Sequence, residues 1–127
     1  MKVVARRLQG LAHEIDIEGG HTIVVDEPAD AGPSPGRLLA ASLASCTAVT
    51  MEMYAERKGW ELDAVEVDVD GTYDGHVPTA YAVTVRLPAG LSEEQRERLL
   101  VVASKCPVHR ALTGETTVTI SDRVEIL

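Results

Sequence analysis

Cys46 and Cys106 carry the most reactive side chains of this sequence. A thiol attacks as its thiolate, so the question for each is what would ionise it. Pro107 directly follows Cys106 and fits the first position of a helix, which makes Cys106 the N-cap. Free backbone N–H groups at a helix start point at the cap and favour a thiolate. Lys105, His109 and Arg110 add positive or potentially positive charge, and His109, three residues on, can share a face with Cys106. Cys106 is therefore expected to have a lowered pKa; the plainer reading is a small buried capping residue. Cys46 sits mid-helix among Ala44, Ser45, Thr47 and Ala48, where cysteine commonly packs as a small hydrophobe. A mid-helix thiol gains little from the helix dipole and needs a nearby cation to ionise. Arg37 is one such cation. It stands in the first helical turn, where positive charge opposes the dipole, although a long side chain reaching water would also explain it.

Other chemistries are weaker. Cys46, Cys106 and His109 are zinc-ligand types, but paired CxxC or HxxxH spacing is absent and no metal site is expected. The stretch Gly32-Pro33-Ser34-Pro35-Gly36 lacks the lysine and spacing of a phosphate loop. Glu52 and Glu56 read as a solvated helix stripe, and His13, His21 and His76 as surface groups.

The elements that must position the cysteines follow from periodicity and punctuation. Val3 to Leu8, His13 to Ile17 and His21 to Val25 read as short strands of an antiparallel meander, with turns at Gly10 and at Gly19-Gly20. Asp26 to Pro35 is a Pro-rich loop. Ser34 and Pro35 open a helix expected to run to Lys58, with Gly59 as its stop. Leu39, Leu43, Cys46, Thr50 and Met53 recur on one apolar face of it, and its many Ala and Ser residues permit close approach by another backbone. Leu62 to Gly71 and Thr79 to Leu87 alternate as half-buried strands. Ser92 with Gln95 forms a capping box for a second helix to about Ser104. A short helical turn then begins at Cys106-Pro107 and ends at Gly114, and Thr116 to Ile120 and Val124 to Leu127 read as closing strands.

The 127 residues suit a single α+β domain spanning 1–127. With 3% aromatics and no Phe, the core must be small and aliphatic, so burial against a second subunit is expected. The formal net charge of −8 argues against nucleic acid as partner. The run Leu38 to Met51 is short and rich in Ser and Thr for a membrane span, and the N-terminus lacks the apolar segment of a signal peptide, so no membrane partner and a cytoplasmic location are expected. A reducing compartment keeps both cysteines as thiols at rest and favours redox use over a structural disulfide.

Two segments together resemble one family. Gly32-Pro33-Ser34-Pro35-Gly36-Arg37-Leu38-Leu39-Ala40-Ala41 leading to Ala44-Ser45-Cys46-Thr47-Ala48, continued by Met53-Tyr54-Ala55-Glu56-Arg57-Lys58-Gly59, resembles the first-cysteine helix of the OsmC/Ohr family. Lys105-Cys106-Pro107-Val108-His109-Arg110-Ala111-Leu112 resembles its second-cysteine motif, and the order of elements fits across nearly the whole chain. The resemblance implies antiparallel sheets wrapped around two central helices in an intertwined homodimer, with active sites at the subunit interface. It implies a thiol-dependent peroxidase in which Cys46 attacks a small apolar hydroperoxide and Cys106 resolves the resulting sulfenic acid, with an external thiol or dithiol as reductant and no metal or organic cofactor. Better-studied members place a glutamate just after the proline that opens the first-cysteine helix; Gly36 and Arg37 stand there. They take an activating arginine from a Gly-rich turn after the first strand, where this chain has Arg7-Leu8-Gln9-Gly10. Arg7 and Arg37 are thus the candidate thiolate-activating cations. The missing glutamate keeps an alternative open, a redox-sensing or ligand-binding protein of the same family without efficient turnover.

Overall fold

The computed structural model describes residues Met1–Leu127. The elements run β1 (Val3–Arg7), β2 (His13–Ile17), β3 (His21–Val25), α1 (Pro35–Lys58), β4 (Glu66–Asp74), β5 (Val77–Arg86), α2 (Glu93–Ala103) and α3 (Pro107–Leu112). The class is α+β, with helices beside antiparallel strands, as expected. By internal contacts the residues group into two compact units, Met1–Ser42 with Val69–Ala82, and Leu43–Asp68 with Val83–Leu127.

In the first unit β1, β2 and β3 form an antiparallel sheet in sequence order. Val3 pairs with Ile17 and Arg7 with His13; His13 in turn pairs with Val25 and Ile17 with His21. Gly19 and Gly20 make the tight β2–β3 turn at φ 108° and 88°, a backbone region that L side chains rarely adopt. The loop after β3 is tied to the buried Asp26. Its N–H donates to the Pro33 carbonyl (3.1 Å), and its carboxylate accepts from the Ala31 N–H (3.0 Å). This fold-back presses Gly32 against β3, where an added Cβ would lie 2.0 Å from the Val24 carbonyl oxygen. Only glycine fits. The loop delivers Ser34, whose hydroxyl accepts the Arg37 N–H (3.3 Å) and caps α1 as its sequence position predicts.

In the second unit the later turns of α1 bury Leu43, Thr47, Met51 and Ala55. Met51 and Ala55 join Leu91, Leu99 and Ala103 in the core, with Trp60, Leu62, Val65, Val67, Val85 and Leu87 packed around them. This corrects the expected face in part: Leu43 is buried, but Cys46 and Thr50 are only half-buried and Met53 is 61% exposed. Small and aliphatic residues surround most of α1, so periodicity alone does not say which stripe faces α2. The helix is long and apolar enough to cross a membrane, at mean hydropathy 1.3, contrary to the reading of Leu38 to Met51 alone. Its packing against Leu99 and Ala103 marks it as a core helix. It ends in a Schellman motif: Trp60 N–H reaches the Ala55 carbonyl (2.9 Å), Gly59 N–H the Glu56 carbonyl (3.1 Å), and Gly59 adopts φ 70°.

β4 and β5 are paired and joined by a two-residue turn, with Gly75 at φ 62° in the first turn position, as type II′ hairpins prefer. Arg86 on β5 bridges Glu66 (2.9 Å) and Asp68 (2.6 Å) on the wet face of β4. The capping box of α2 forms in both directions, Gln95 N–H to Ser92 hydroxyl (3.1 Å) and Ser92 N–H to the Gln95 amide (2.8 Å). The expected closing strands Thr116 to Ile120 and Val124 to Leu127 are not formed. A strand exists by its ladder hydrogen bonds, and in the single chain this segment has no strand beside it. Val118, Ile120, Val124 and Ile126 are left 64%, 82%, 95% and 100% exposed.

Gly32→Ala is expected to destabilise the chain by about 1–3 kcal/mol, the usual cost of overpacking a closed site. Urea melts of the variant should show a lower midpoint than the parent protein.

Candidate active site

The second unit brings Cys46 and Cys106 together, close enough that the Cys46 thiol acts on the ionisation of Cys106. Cys46 lies one residue before Thr47 of the buried row of α1, which leaves it on the flank of that row and half-buried. Thr47 and Thr50 return their hydroxyls to the Leu43 and Cys46 carbonyls (2.7 Å each), so no polar group beside the thiol is stranded.

Cys106 is the N-cap of α3, with φ −53° and ψ 132° and Pro107 following. Its N–H donates to the Ala103 carbonyl (3.2 Å), and its own carbonyl accepts the Arg110 N–H (3.0 Å). The amides of Val108 and His109 favour the thiolate, though neither makes a fully aligned capping hydrogen bond to the sulfur. Yet Cys106 is completely buried, and burial pushes its pKa up; the neighbouring Cys46 thiol pushes the same way. The expectation of a lowered pKa is therefore overturned. The helix-start amides and adjoining charges are visible in sequence, whereas the burial that outweighs them is a property of the folded chain.

His109 is half-buried and lines a small, partly open cavity of about 100 Å³ together with Thr47, Val83, Val85, Leu100, Ala103 and Ser104. Its Nδ1 is buried and has no hydrogen-bond partner. Arg110 Nε lies 3.3 Å from a Glu115 carboxylate oxygen as an ion pair, without the alignment of a hydrogen bond.

The two candidate cations belong to the first unit. Arg7, at the end of β1, donates from Nε to the Gly10 carbonyl (3.1 Å) and closes the β1–β2 turn. Arg37 is exposed and lines an open groove with Glu27, Ser34, Tyr73 and His76. At this same helix start lies a contact that sequence reading missed. The Tyr73 hydroxyl donates to the Gly36 carbonyl (3.2 Å) and lies 3.2 Å from the Tyr81 hydroxyl. That shared hydrogen bond, with some burial, pushes the Tyr81 pKa up to about 12. Gly36 therefore presents no carboxylate but a backbone carbonyl satisfied by a phenol. The one available signal was that two of the three tyrosines fall on paired strands.

An α+β chain that sets a half-buried helical thiol against a buried thiol at a second helix start is, by fold and site, a cysteine-pair protein. Residues 28–121 match the OsmC-like protein family, and the chain belongs to it. It is 34% identical over 111 residues to uncharacterised proteins of Mycobacterium bovis and Mycobacterium tuberculosis, covering 80% of this chain and 80% of each relative. Its fold is similar to that of an OsmC-like protein from Mycoplasma pneumoniae, with TM-score 0.77, 19% identity, and 89% and 86% of the two chains covered. It is also similar to the organic hydroperoxide resistance protein OhrB of Bacillus subtilis, with TM-score 0.61, 26% identity, and 89% and 90% covered.

In Cys46→Ala only Cys106 remains, and its thiolate absorbance should titrate above the ordinary thiol value of about 8.5. A group whose folded pKa is raised contributes stability that is intact below the unfolded value and is lost as pH rises toward the folded one. Urea midpoints of this variant should accordingly fall above about pH 8.5. A titration midpoint well below that value would show that the helix-start amides dominate instead.

Proposed function

We propose that this chain is a thiol-dependent peroxidase that reduces organic hydroperoxides, with Cys46 as attacking thiol and Cys106 as resolving thiol. The observation that carries the proposal is the unequal burial of two thiols in mutual contact. A peroxide must reach the attacking sulfur, and Cys46 is the accessible member of the pair, while Cys106 is sealed. A buried, protonated thiol is a poor first nucleophile and a well-placed second one.

The electrons balance in three steps. Cys46 gives up its proton, its thiolate attacks the distal peroxide oxygen, the O–O bond breaks, Cys46 becomes a sulfenic acid, and the departing alkoxide takes up that proton and leaves as the alcohol. Cys106 attacks the Cys46 sulfur, an S–S bond forms, and the hydroxyl leaves as water. An external thiol or dithiol then reduces the disulfide by exchange and is itself oxidised. The cysteine pair supplies both reaction electrons, so the cycle calls for no metal or organic cofactor. Arg37 and Arg7 are the proposed thiolate-activating cations, and such a cycle fits a reducing cytoplasm.

The proposed working form is a homodimer. On α1, Ser45, Val49 and Met53 make an exposed row at four-residue spacing, with Val49 47% and Met53 61% exposed. The C-terminal segment alternates exposed apolar residues without a strand to pair with. Both features are relieved by a second copy that covers the helix row and accepts the segment as an added strand.

Reduced protein mixed with cumene hydroperoxide and a dithiol should turn over repeatedly. Cys46→Ser should lose at least about 100-fold of that turnover. Cys106→Ser should keep one fast peroxide-consuming event per chain and fail to form the disulfide. Slow stoichiometric oxidation of the parent protein without turnover by any dithiol would point to redox sensing instead. No reaction with either cumene hydroperoxide or hydrogen peroxide would leave a ligand-binding role.

A further inference from the structure

The resolving step must carry one proton from Cys106 to the hydroxide that leaves Cys46. Cys106 is fully buried and reaches the attack on oxidised Cys46 as a thiol, so its proton must leave an interior that bulk water does not enter. The cavity that His109 lines, with Thr47 next to Cys46 in sequence and Ser104 two residues before Cys106, is about 100 Å³ and exceeds the roughly 30 Å³ that one water occupies in the liquid. Thr47 and Ser104 give that space hydroxyl groups, and the Nδ1 of His109 is buried there without a partner. An unpartnered buried ring nitrogen is costly unless something meets it, and a water has the size and the polar neighbours to do so.

We propose that His109 is the proton acceptor for the resolving step. Through water in this cavity it takes the proton that Cys106 gives up as the Cys106 sulfur bonds to Cys46. The imidazole holds the proton as the S–S bond forms and passes it to the hydroxide that leaves the Cys46 sulfenic acid, so water is released and His109 ends neutral. His109 acts through water and is thus a positioning residue rather than one that touches the reacting sulfur. The groups that face it from other elements do not compete. Thr47 comes from α1, Val83 and Val85 from β5, and Leu100, Ala103 and Ser104 from α2 or its C-cap, and none of these titrates. The neighbouring titratable groups are Cys46 and Cys106 themselves, with Arg110 and Glu115 paired to each other on its own segment. This role rests on the peroxidase reading for its biological setting, but its chemistry can be read without peroxide.

The test therefore has two arms, each run on the full chain with His109→Asn and His109→Gln. In the first, a single turnover with cumene hydroperoxide separates peroxide consumption from disulfide formation. Both variants should consume peroxide at the parent rate and form the disulfide on the order of 100-fold more slowly near neutral pH. They should also lose an inflection that the parent protein shows in the pH profile of this step. In the second arm, Cys46 is converted to its mixed disulfide with 5-thio-2-nitrobenzoate, and release of the coloured thiolate reports attack by Cys106. The same slowing and the same lost inflection are expected, and added imidazole should restore part of the rate in His109→Gly. Release at the parent rate with the parent pH profile in both variants would overturn the proposal. Absence of peroxide consumption in the parent protein, with the release arm behaving as expected, would overturn the peroxidase reading and leave the His109 role standing.

Discussion

The approach of the Cys46 and Cys106 thiols to each other is the interaction on which the site depends. Two effects compete at Cys106. The start of α3 offers the amides of Val108 and His109, which favour a thiolate; complete burial favours the neutral thiol, and burial prevails. One thiol is then kept protonated in the interior while its partner remains half-accessible on α1. That asymmetry divides the labour between two residues of the same type. It needs no special chemistry at either one.

The fold holds this contact by short covalent spans from well-packed positions. Leu43 and Thr47 of the buried α1 row flank Cys46 on either side. Only Ser104 and Lys105 separate the last residue of α2 from Cys106, and both Val102 and Ala103 are buried. Lys105 N–H bonds the Val102 carbonyl (2.9 Å) and Cys106 N–H the Ala103 carbonyl, so the core position of α2 fixes where Cys106 stands. Truncating Leu99, which is fully buried in that core, would cost about 2–5 kcal/mol and loosen α2 along with the cysteine that follows it. Stability and site geometry thus share the same residues.

Local chemistry in the sequence was enough for the caps and turns. Ser34, Gly59, Ser92 with Gln95, and Pro107 each act within four residues of their partners, and all stand where their types require. The three strands of the meander and their turns at Gly10 and Gly19-Gly20 were legible too. What escaped depended on distant residues. The stripe of α1 that is buried was set by Leu99 and Ala103, and the pKa direction of Cys106 by the burial they contribute to. Tyr73 meeting Gly36 spans 37 positions, and no local pattern announces it. The C-terminal alternation was read correctly as strand-like in pattern, but a strand is a property of a pair, and the single chain holds no partner strand for it.

The division of labour is most directly tested by trapping the first oxidation product. Cys46→Ser and Cys106→Ser proteins would each be treated with one equivalent of cumene hydroperoxide in the presence of dimedone, which adds to sulfenic acids, and the adduct located by peptide mass spectrometry. Burial of Cys106 predicts rapid labelling at Cys46 in Cys106→Ser and little labelling at Cys106 in Cys46→Ser. Faster labelling at Cys106 would contradict it and make the buried thiol the attacker.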